Sequence, residues 1–172
     1  MKVFLVCILF LVSVFSFAQS SIIGEVETLR GPLIVTASAT KGVMLSTSEA
    51  GFVLHGRELD VFKYVVDLNV QLSNAAESFP RIYKRTSGQI SSSDLPYAKI
   101  IRFGFFSDGE NTPTIGLSII DRSRNLRSRM GFTADQFQEL LDLLDEATEE
   151  VSNIQDQISQ LNDIVSEALR YH

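Results

Sequence analysis

Five arginines are the side chains in this sequence best suited to bind a charged ligand, and four of them lie within eight residues. Arg127 and Arg129 alternate with apolar or small residues, so on a β-strand they share one face, and Arg102 can join them from a neighbouring strand. A guanidinium group forms paired hydrogen bonds with carboxylate or phosphate. The pattern therefore predicts an anion- or partner-binding face made of Arg102, Arg122, Arg124, Arg127 and Arg129.

The charge distribution leaves three interpretations of these arginines open. Residues 19–132 carry 13 basic and 11 acidic side chains, whereas residues 133–172 carry one arginine and 10 acids. The arginines could pair with the acidic segment that follows them, face an acidic partner or anionic surface, or bind nucleic acid. A nearly neutral body with an acidic extension gives no general nucleic-acid signal, so we expect nucleic acid to be the least favoured partner.

The sequence contains no recognisable catalytic or metal-binding motif. Its histidines, His55 and His172, do not have metal-ligand spacing. Nucleophile-elbow, phosphate-loop and zinc-protease patterns are missing from the sequence. The oxygen-rich segment Asp108-Gly109-Glu110-Asn111 fits a hairpin turn better than a calcium loop. We expect a protein that is not an enzyme and that needs no metal or cofactor.

The N-terminus has the pattern of an export signal. Lys2 precedes an apolar run from Val3 to Phe17, and Ser16-Phe17-Ala18 places small residues where a signal peptidase reads them. We expect cleavage between Ala18 and Gln19 and a secreted or periplasmic protein. The alternative is an uncleaved membrane anchor, although the run is shorter than the roughly 20 residues that span a bilayer.

Cleavage would remove Cys7, which is the only cysteine. About 154 residues would remain, enough for one domain with its own core. Disulfides and cysteine–metal sites would be excluded in the mature chain. Its stability must then come from the core or from assembly.

The body at 19–132 is predicted to be rich in β-strands. Ile22 to Ser38 predicts a strand, a turn at Gly31-Pro32 and a second strand, and short apolar runs at 42–46 and 52–55 predict two more. Alternation from Phe62 to Ser73 predicts a fifth strand, and a helix is the competing interpretation because Leu59, Phe62, Val66 and Leu72 also share a helical stripe.

A polar stretch at 86–96 predicts a loop or a joint within the body. Beyond it, three apolar segments at 97–106, 115–120 and 126–132 are separated by turn residues. They predict a three-stranded antiparallel meander that leads directly into a helix. No convincing internal repeat is visible in the sequence.

The segment 133–172 predicts one long helix. Thr133-Ala134-Asp135-Gln136 fits a capping box, and no Gly or Pro follows. Apolar residues then alternate at steps of three and four, which is typical of a coiled coil. The predicted oligomer seam consists of Phe137, Leu140, Leu144, Ala147, Val151, Ile154, Ile158, Leu161, Val165 and Ala168.

The same spacing also fits a single amphipathic helix packed on its own sheet. However, about 40 residues form a helix near 60 Å long, and a body of this size is only about 35 Å across. We therefore expect the first turns to pack on the meander and the last turns to meet a partner, most simply another copy. The core residues leave dimer, trimer and antiparallel arrangements open.

The meander followed by a helix resembles the sheet-plus-helix layout of PC4-like and Whirly single-stranded DNA-binding proteins. The resemblance covers about residues 97–147 and concerns the layout, without a shared motif. It implies an anion- or nucleic-acid-binding module that uses the arginine-rich hairpin. The first hypothesis is different: an α+β, exported, non-enzymatic protein that oligomerises through its C-terminal helix and binds an unknown protein partner with its sheet. It would contact a membrane only if the N-terminal segment stayed attached.

Overall fold

The structure is a computed structural model that describes residues 20–78, 81–92 and 99–170, with the side chains of 168–170 outside the description. The predicted signal segment 1–18 lies outside these residues. Within them, no helix is long and apolar enough to cross a membrane. The predicted α+β class is confirmed: strands form two antiparallel sheets, and a long helix ends the described chain.

The first sheet contains four consecutive strands, β1 (Ser20–Val26), β2 (Leu33–Ser38), β3 (Gly42–Ser46) and β4 (Gly51–Leu54). Each strand pairs antiparallel with the next. All four were predicted from their apolar runs and the turns between them. Alternate side chains are buried, as in β2, where Leu33, Val35 and Ala37 face inward.

The predicted strand at Phe62–Ser73 is wrong, because this segment lies within helix α1 (Gly56–Ser78). Its buried residues are Leu59, Phe62, Val65, Val66, Asn69 and Ser73, which are spaced by three, three, one, three and four residues. A half-buried strand would bury every second residue, yet Tyr64 is 67% exposed. Both periods fitted the sequence, and the helical one was selected by the surfaces that α1 contacts.

The second sheet has four strands, one more than predicted: β5 (Ile82–Ser91), β6 (Lys99–Asp108), β7 (Thr114–Asp121) and β8 (Leu126–Phe132). The extra strand β5 includes residues 86–91, which were predicted to belong to a loop or joint. Its polar composition reflects an exposed edge strand, since most of its residues are exposed. Residues 93–98 of the predicted joint lie outside the described residues.

Helix α2 (Ala134–Arg170) begins at the predicted capping box. The backbone amide of Gln136 donates to Thr133 Oγ1 at 3.3 Å, and the backbone amide of Thr133 donates to Gln136 Oε1 at 2.9 Å. Gln136 Nε2 also donates to the carbonyl of Glu27, at 2.8 Å. The cap therefore fixes the start of α2 against the loop that follows β1.

Each helix packs on the sheet formed by the other half of the chain. Helix α1 follows the first sheet but contacts β5, β6 and β7, whereas α2 follows the second sheet and packs mainly on β1, β2 and β3. The two helices also contact each other, and Lys63 Nζ of α1 lies 2.7 Å from Asp145 Oδ1 of α2. This exchange joins both halves in one hydrophobic core.

Four phenylalanines connect the elements at the centre of that core. Phe62 of α1 and Phe103 of β6 have ring centroids 5.2 Å apart, and Phe103 and Phe137 are 6.4 Å apart. Phe137 of α2 meets Phe132 of β8 at 4.8 Å. All three contacts have edge-to-face geometry, which is favourable for aromatic pairs.

The element order of four strands and a helix occurs twice in the chain, from β1 to α1 and from β5 to α2. The sequence shows no repeat at this spacing, so the duplication is visible only in the arrangement of the elements. The predicted body at 19–132 therefore includes helix α1 and both sheets, and residues 22–73 and 97–132 do not form one sheet.

Candidate anion-binding face on the second sheet

The second sheet turns one face toward the helices and the other face outward. Inward residues such as Ile101, Phe103 and Leu117 are buried in the core. The alternate residues of the same strands point away from both helices. We call this outward surface the arginine face.

Three of the five predicted arginines lie on this face. Arg102 of β6 pairs across the sheet with Ser118 of β7, which pairs with Arg129 of β8. Arg127 lies two residues before Arg129 and points the same way. Adjacent strands are about 4.8 Å apart and the rise is about 3.4 Å per residue, so Arg129 is about 10 Å from Arg102 and about 7 Å from Arg127, measured along the backbone.

Gln89 of β5 extends the row at its other end. It pairs with Arg102 in the sheet, and Arg102 Nη2 donates to Gln89 Oε1 at 3.3 Å. Both side chains are exposed. We call the resulting cross-strand row the arginine row; it consists of Gln89, Arg102, Ser118 and Arg129.

The other two predicted arginines, Arg122 and Arg124, lie on the turn between β7 and β8, at the Arg127 end of the face. Asp121 holds this turn: its Oδ1 accepts hydrogen bonds from the backbone amides of Ser123 and Arg124, at 3.0 and 3.2 Å, and from the Ser123 hydroxyl. These bonds, with the Ser123 hydroxyl contributing most, lower the pKa of Asp121. The carboxylate thus remains ionised while it orders the turn.

The expected pairing between these arginines and the acidic helix is not formed within the described residues. All five arginines are exposed there, and none is joined to a described carboxylate by an ion pair. The reason is geometric, because α2 packs on the opposite side of the second sheet. Instead, Asp145 of α2 forms an ion pair with Lys63 of α1.

Further residues of the face were not singled out from the sequence. Lys84 and Phe106 form a cross-strand pair on the outer side of β5 and β6, and Phe106 is 45% exposed. Between them and the arginine row lies a second row, Thr86, Gly104, Gly116 and Gly131. The available signal was one glycine within each of β6, β7 and β8, since glycine in a strand often marks a close approach to the backbone.

The predicted oligomer seam divides into two parts. Phe137, Leu140, Leu144 and Ala147 have no exposed surface, because they pack inside the same chain. Their assignment to a contact between copies is therefore corrected to the intramolecular core. Val151 is half-buried against that core and Ile154 is 7% exposed.

Beyond Ile154 the seam residues become more exposed. Gln155 Nε2 still donates to the carbonyl of Ala39, at 3.0 Å. Ile158 and Leu161 are half-buried and Val165 is 44% exposed. Ile164, beside the seam, is 62% exposed. Ala168 lies outside the described side chains.

Asp108 and His55 have structural roles in the fold. Asp108 accepts hydrogen bonds from the backbone amides of Glu110 and Asn111 and from the Asn111 side chain, so it forms the predicted hairpin turn. His55 precedes α1, and its carbonyl accepts the Glu58 amide at 2.7 Å. In the described ranges, no group of three His, Cys, Asp or Glu residues is arranged to hold a metal ion. His172 lies outside those ranges.

Comparison with protein families finds no match for this chain. No curated protein sequence matches it either. Among solved structures, the chain is similar to a protein of unknown function from the DUF155 family of Prochlorococcus sp. NATL2A, with 12% identity and a TM-score of 0.37. That alignment covers 67% of this chain and 91% of the other. It carries no argument about function.

Proposed function

We propose that this chain is a non-enzymatic binding protein that holds a negatively charged partner on the arginine face. The observation that carries the proposal is the group of exposed arginines on one side of the second sheet, without ion pairs among the described residues. Like charges about 7 to 10 Å apart repel each other, because this separation is comparable to the Debye length and salt screens it only in part. An anionic partner would remove this repulsion and form paired hydrogen bonds with the guanidinium groups.

The proposal includes a location outside the cytoplasm. It is supported by the N-terminal pattern of Lys2, an apolar run and a small-residue site before Gln19. Mass spectrometry of the protein from its native host would test this part. A mature chain that begins at Gln19 is expected, and a chain that retains residues 1–18 would contradict it.

A second part of the proposal concerns assembly through the end of α2. The half-buried Leu161 and the exposed Ile164 and Val165 continue the helix beyond Gln155, whose side chain is hydrogen-bonded to Ala39. An isolated helical segment of this length is marginally stable in water. Pairing with the same segment of another copy would bury these side chains.

Nucleic acid is the alternative partner. The sheet-plus-helix layout that resembles PC4-like and Whirly proteins occurs twice in the structure, and the arginines lie on one of its sheets. Against this alternative, Phe106 is the one aromatic side chain that points outward from the described strands of the second sheet. Single-stranded nucleic-acid sites stack successive bases on several aromatic rings.

The binding proposal can be tested with a matched pair of variants. Arg102→Ser/Arg129→Ser removes two charges from the arginine face. Lys41→Ser/Arg85→Ser removes the same charge elsewhere, because Lys41 is in a turn of the first sheet and Arg85 pairs with inward-facing Phe105. The test uses heparin, a polyanion, and compares the salt concentration that elutes each protein.

The protein has a net charge of −6, so retention on heparin requires a local basic surface. We expect Arg102→Ser/Arg129→Ser to elute at clearly lower salt than the parent, and the control pair to elute with the parent. Equal elution of both pairs would contradict the proposed function, and so would a parent that is retained neither on heparin nor on immobilised polygalacturonate.

A further inference from the structure

The second row of the arginine face, which contains three glycines, forms a flat area. Gly104, Gly116 and Gly131 lie side by side on β6, β7 and β8 and point outward. A Cβ atom placed on Gly104 would have its nearest neighbour at 3.7 Å, the carbonyl oxygen of Arg85, and on Gly116 at 3.5 Å, the carbonyl oxygen of Gly104. No side-chain atom therefore lies within 4 Å of a Cβ at either position. We call Gly104 and Gly116 the glycine floor.

Along each strand, the floor is bordered by the residues two positions before and after its glycine. Arg102 and Phe106 flank Gly104 along β6, and they are about 14 Å apart along the strand. Ser118 and Thr114 flank Gly116 in the same way on β7. The open area is large enough for a six-membered ring to lie flat between the arginine row and Phe106.

The sides of the floor differ in chemistry. Thr86 of β5 lies beside Gly104. On the other side, a Cβ on Gly131 would lie 3.3 Å from the methyl carbon Cγ2 of Thr114 and 3.5 Å from Leu29 Cδ1, and Leu29 is 87% exposed. The border therefore combines hydroxyl groups, two guanidinium groups and two apolar side chains, Phe106 and Leu29.

We propose that the glycine floor seats a sugar ring of an acidic polysaccharide, whose carboxylate or sulfate is held by Arg102 and Arg129; this proposal rests on the proposed anion-binding function. The hydroxyl groups of Ser118, Thr114 and Thr86 match the hydroxyl groups of a sugar, since each can donate and accept hydrogen bonds. The apolar C–H surface of the ring would lie against the bare backbone and Phe106.

Gln89 is a positioning residue in this arrangement. Its Oε1 accepts a hydrogen bond from Arg102 Nη2, which holds one edge of the guanidinium group along the arginine row. The other edge remains available for paired hydrogen bonds with an acid group. A sugar acid is a better match than a nucleic-acid strand, because the floor offers one aromatic ring and several hydroxyl groups.

The test fills the floor without changing charge. Gly104→Val/Gly116→Val adds two β-branched side chains at positions where the nearest atoms leave ordinary contact distances, and valine is well suited to strands. Gly51→Val is the matched control, because it lies in the first sheet, where a Cβ would have its nearest neighbour at 3.6 Å. Circular dichroism checks that both variants are folded.

Binding is measured by calorimetry with four probes: oligogalacturonate, a heparin oligosaccharide, neutral dextran and a single-stranded DNA oligonucleotide. We expect the parent to bind at least one of the two acidic sugars but not dextran. Gly104→Val/Gly116→Val should weaken that binding at least tenfold, and Gly51→Val should leave it unchanged. Binding of the first probe indicates carboxylate recognition, and binding of heparin alone indicates sulfate recognition.

The outcomes separate this inference from the proposed function. If Arg102→Ser/Arg129→Ser abolishes binding but Gly104→Val/Gly116→Val binds as the parent does, the anion-binding face stands and the sugar seat is refuted. If DNA binds more tightly than both acidic sugars and is lost in the glycine variant, the occupant is nucleic acid and the inference is overturned. If the parent binds none of the probes, both proposals fail.

Discussion

Replacing Phe137 by alanine tests the correction made to the helix seam. The heptad pattern included Phe137 in the oligomer seam, although the first turns of the helix were also expected to pack on the meander, and the structure buries Phe137 completely inside one chain. Its ring meets Phe132 at 4.8 Å and Phe103 at 6.4 Å, so it connects α2 to two strands of the second sheet. The two assignments predict different consequences for the variant.

If Phe137 is a core residue, Phe137→Ala leaves a cavity and removes two aromatic contacts. Buried Phe→Ala changes lower the free energy of unfolding by about 3–5 kcal/mol. Because this ring has no exposed surface and two edge-to-face partners, we expect about 4 kcal/mol. For a domain of this size, that corresponds to a Tm lower by about 8–16 °C.

The assay is urea unfolding followed by circular dichroism at two protein concentrations at least tenfold apart. We expect the same loss of stability at both concentrations, and light scattering should give the parent's mass per particle. Phe106→Ala is the control, since Phe106 is 45% exposed and should cost less than about 1 kcal/mol. A loss that depends on protein concentration, or one below about 1 kcal/mol, would refute the assignment of Phe137 to the core.

Three further predictions concern assembly, the start of α2 and pH. Leu161→Ser/Val165→Ser should reduce the mass per particle in light scattering while the unfolding midpoint of the monomer stays near the parent's; an unchanged mass would contradict pairing through the end of α2. Thr133→Ala should lower the free energy of unfolding by about 1 kcal/mol, and Thr133→Ser by much less, because serine keeps the capping hydroxyl. Hydrogen bonds from the Asn111 side chain and from backbone amides lower the pKa of Asp108 from 3.8 to about 2. Its contribution to stability is therefore complete above the ordinary pKa and is lost as the pH falls toward 2. The stability advantage of the parent over Asp108→Asn should shrink across this range in unfolding curves, and a constant difference would contradict the assignment.

Local signals in the sequence were sufficient for several elements. Asp108-Gly109 predicted the hairpin turn between β6 and β7, and Thr133 with Gln136 predicted the start of α2. These features depend on hydrogen bonds between residues two or three positions apart. Such bonds are formed by the segment itself, so the sequence is enough to predict them.

The segment from Phe62 to Ser73 shows where this reasoning fails. Its apolar residues fit both a period of two and a helical stripe, and its valines favoured a strand. The choice depended on what the segment contacts, and α1 packs on β5, β6, β7 and α2. All four elements lie later in the chain than α1, so the periodicity of the segment itself cannot reveal them. Tertiary packing overrode the local preference.

The arginine face depends both on the local sequence of each strand and on the register between strands. Alternation along β8 placed Arg127 and Arg129 on one face, and this follows from the geometry of any strand. Which neighbours share the row was decided by strand register, which brings Ser118 and Arg102 beside Arg129. Register likewise aligned Gly104, Gly116 and Gly131, which are 12 and 15 residues apart in sequence.

In the long helix, too, the sequence and the tertiary structure determine different properties. The sequence by itself determined that residues from Ala134 onward form an amphipathic helix, because capping and periodicity are properties of the segment. Only the tertiary structure decided that the stripe is buried in the core as far as Ile154, half-buried at Ile158 and Leu161, and exposed at Val165. The physical reason is length: the first sheet that α2 covers ends before the helix does, and a heptad pattern does not specify which surface buries it.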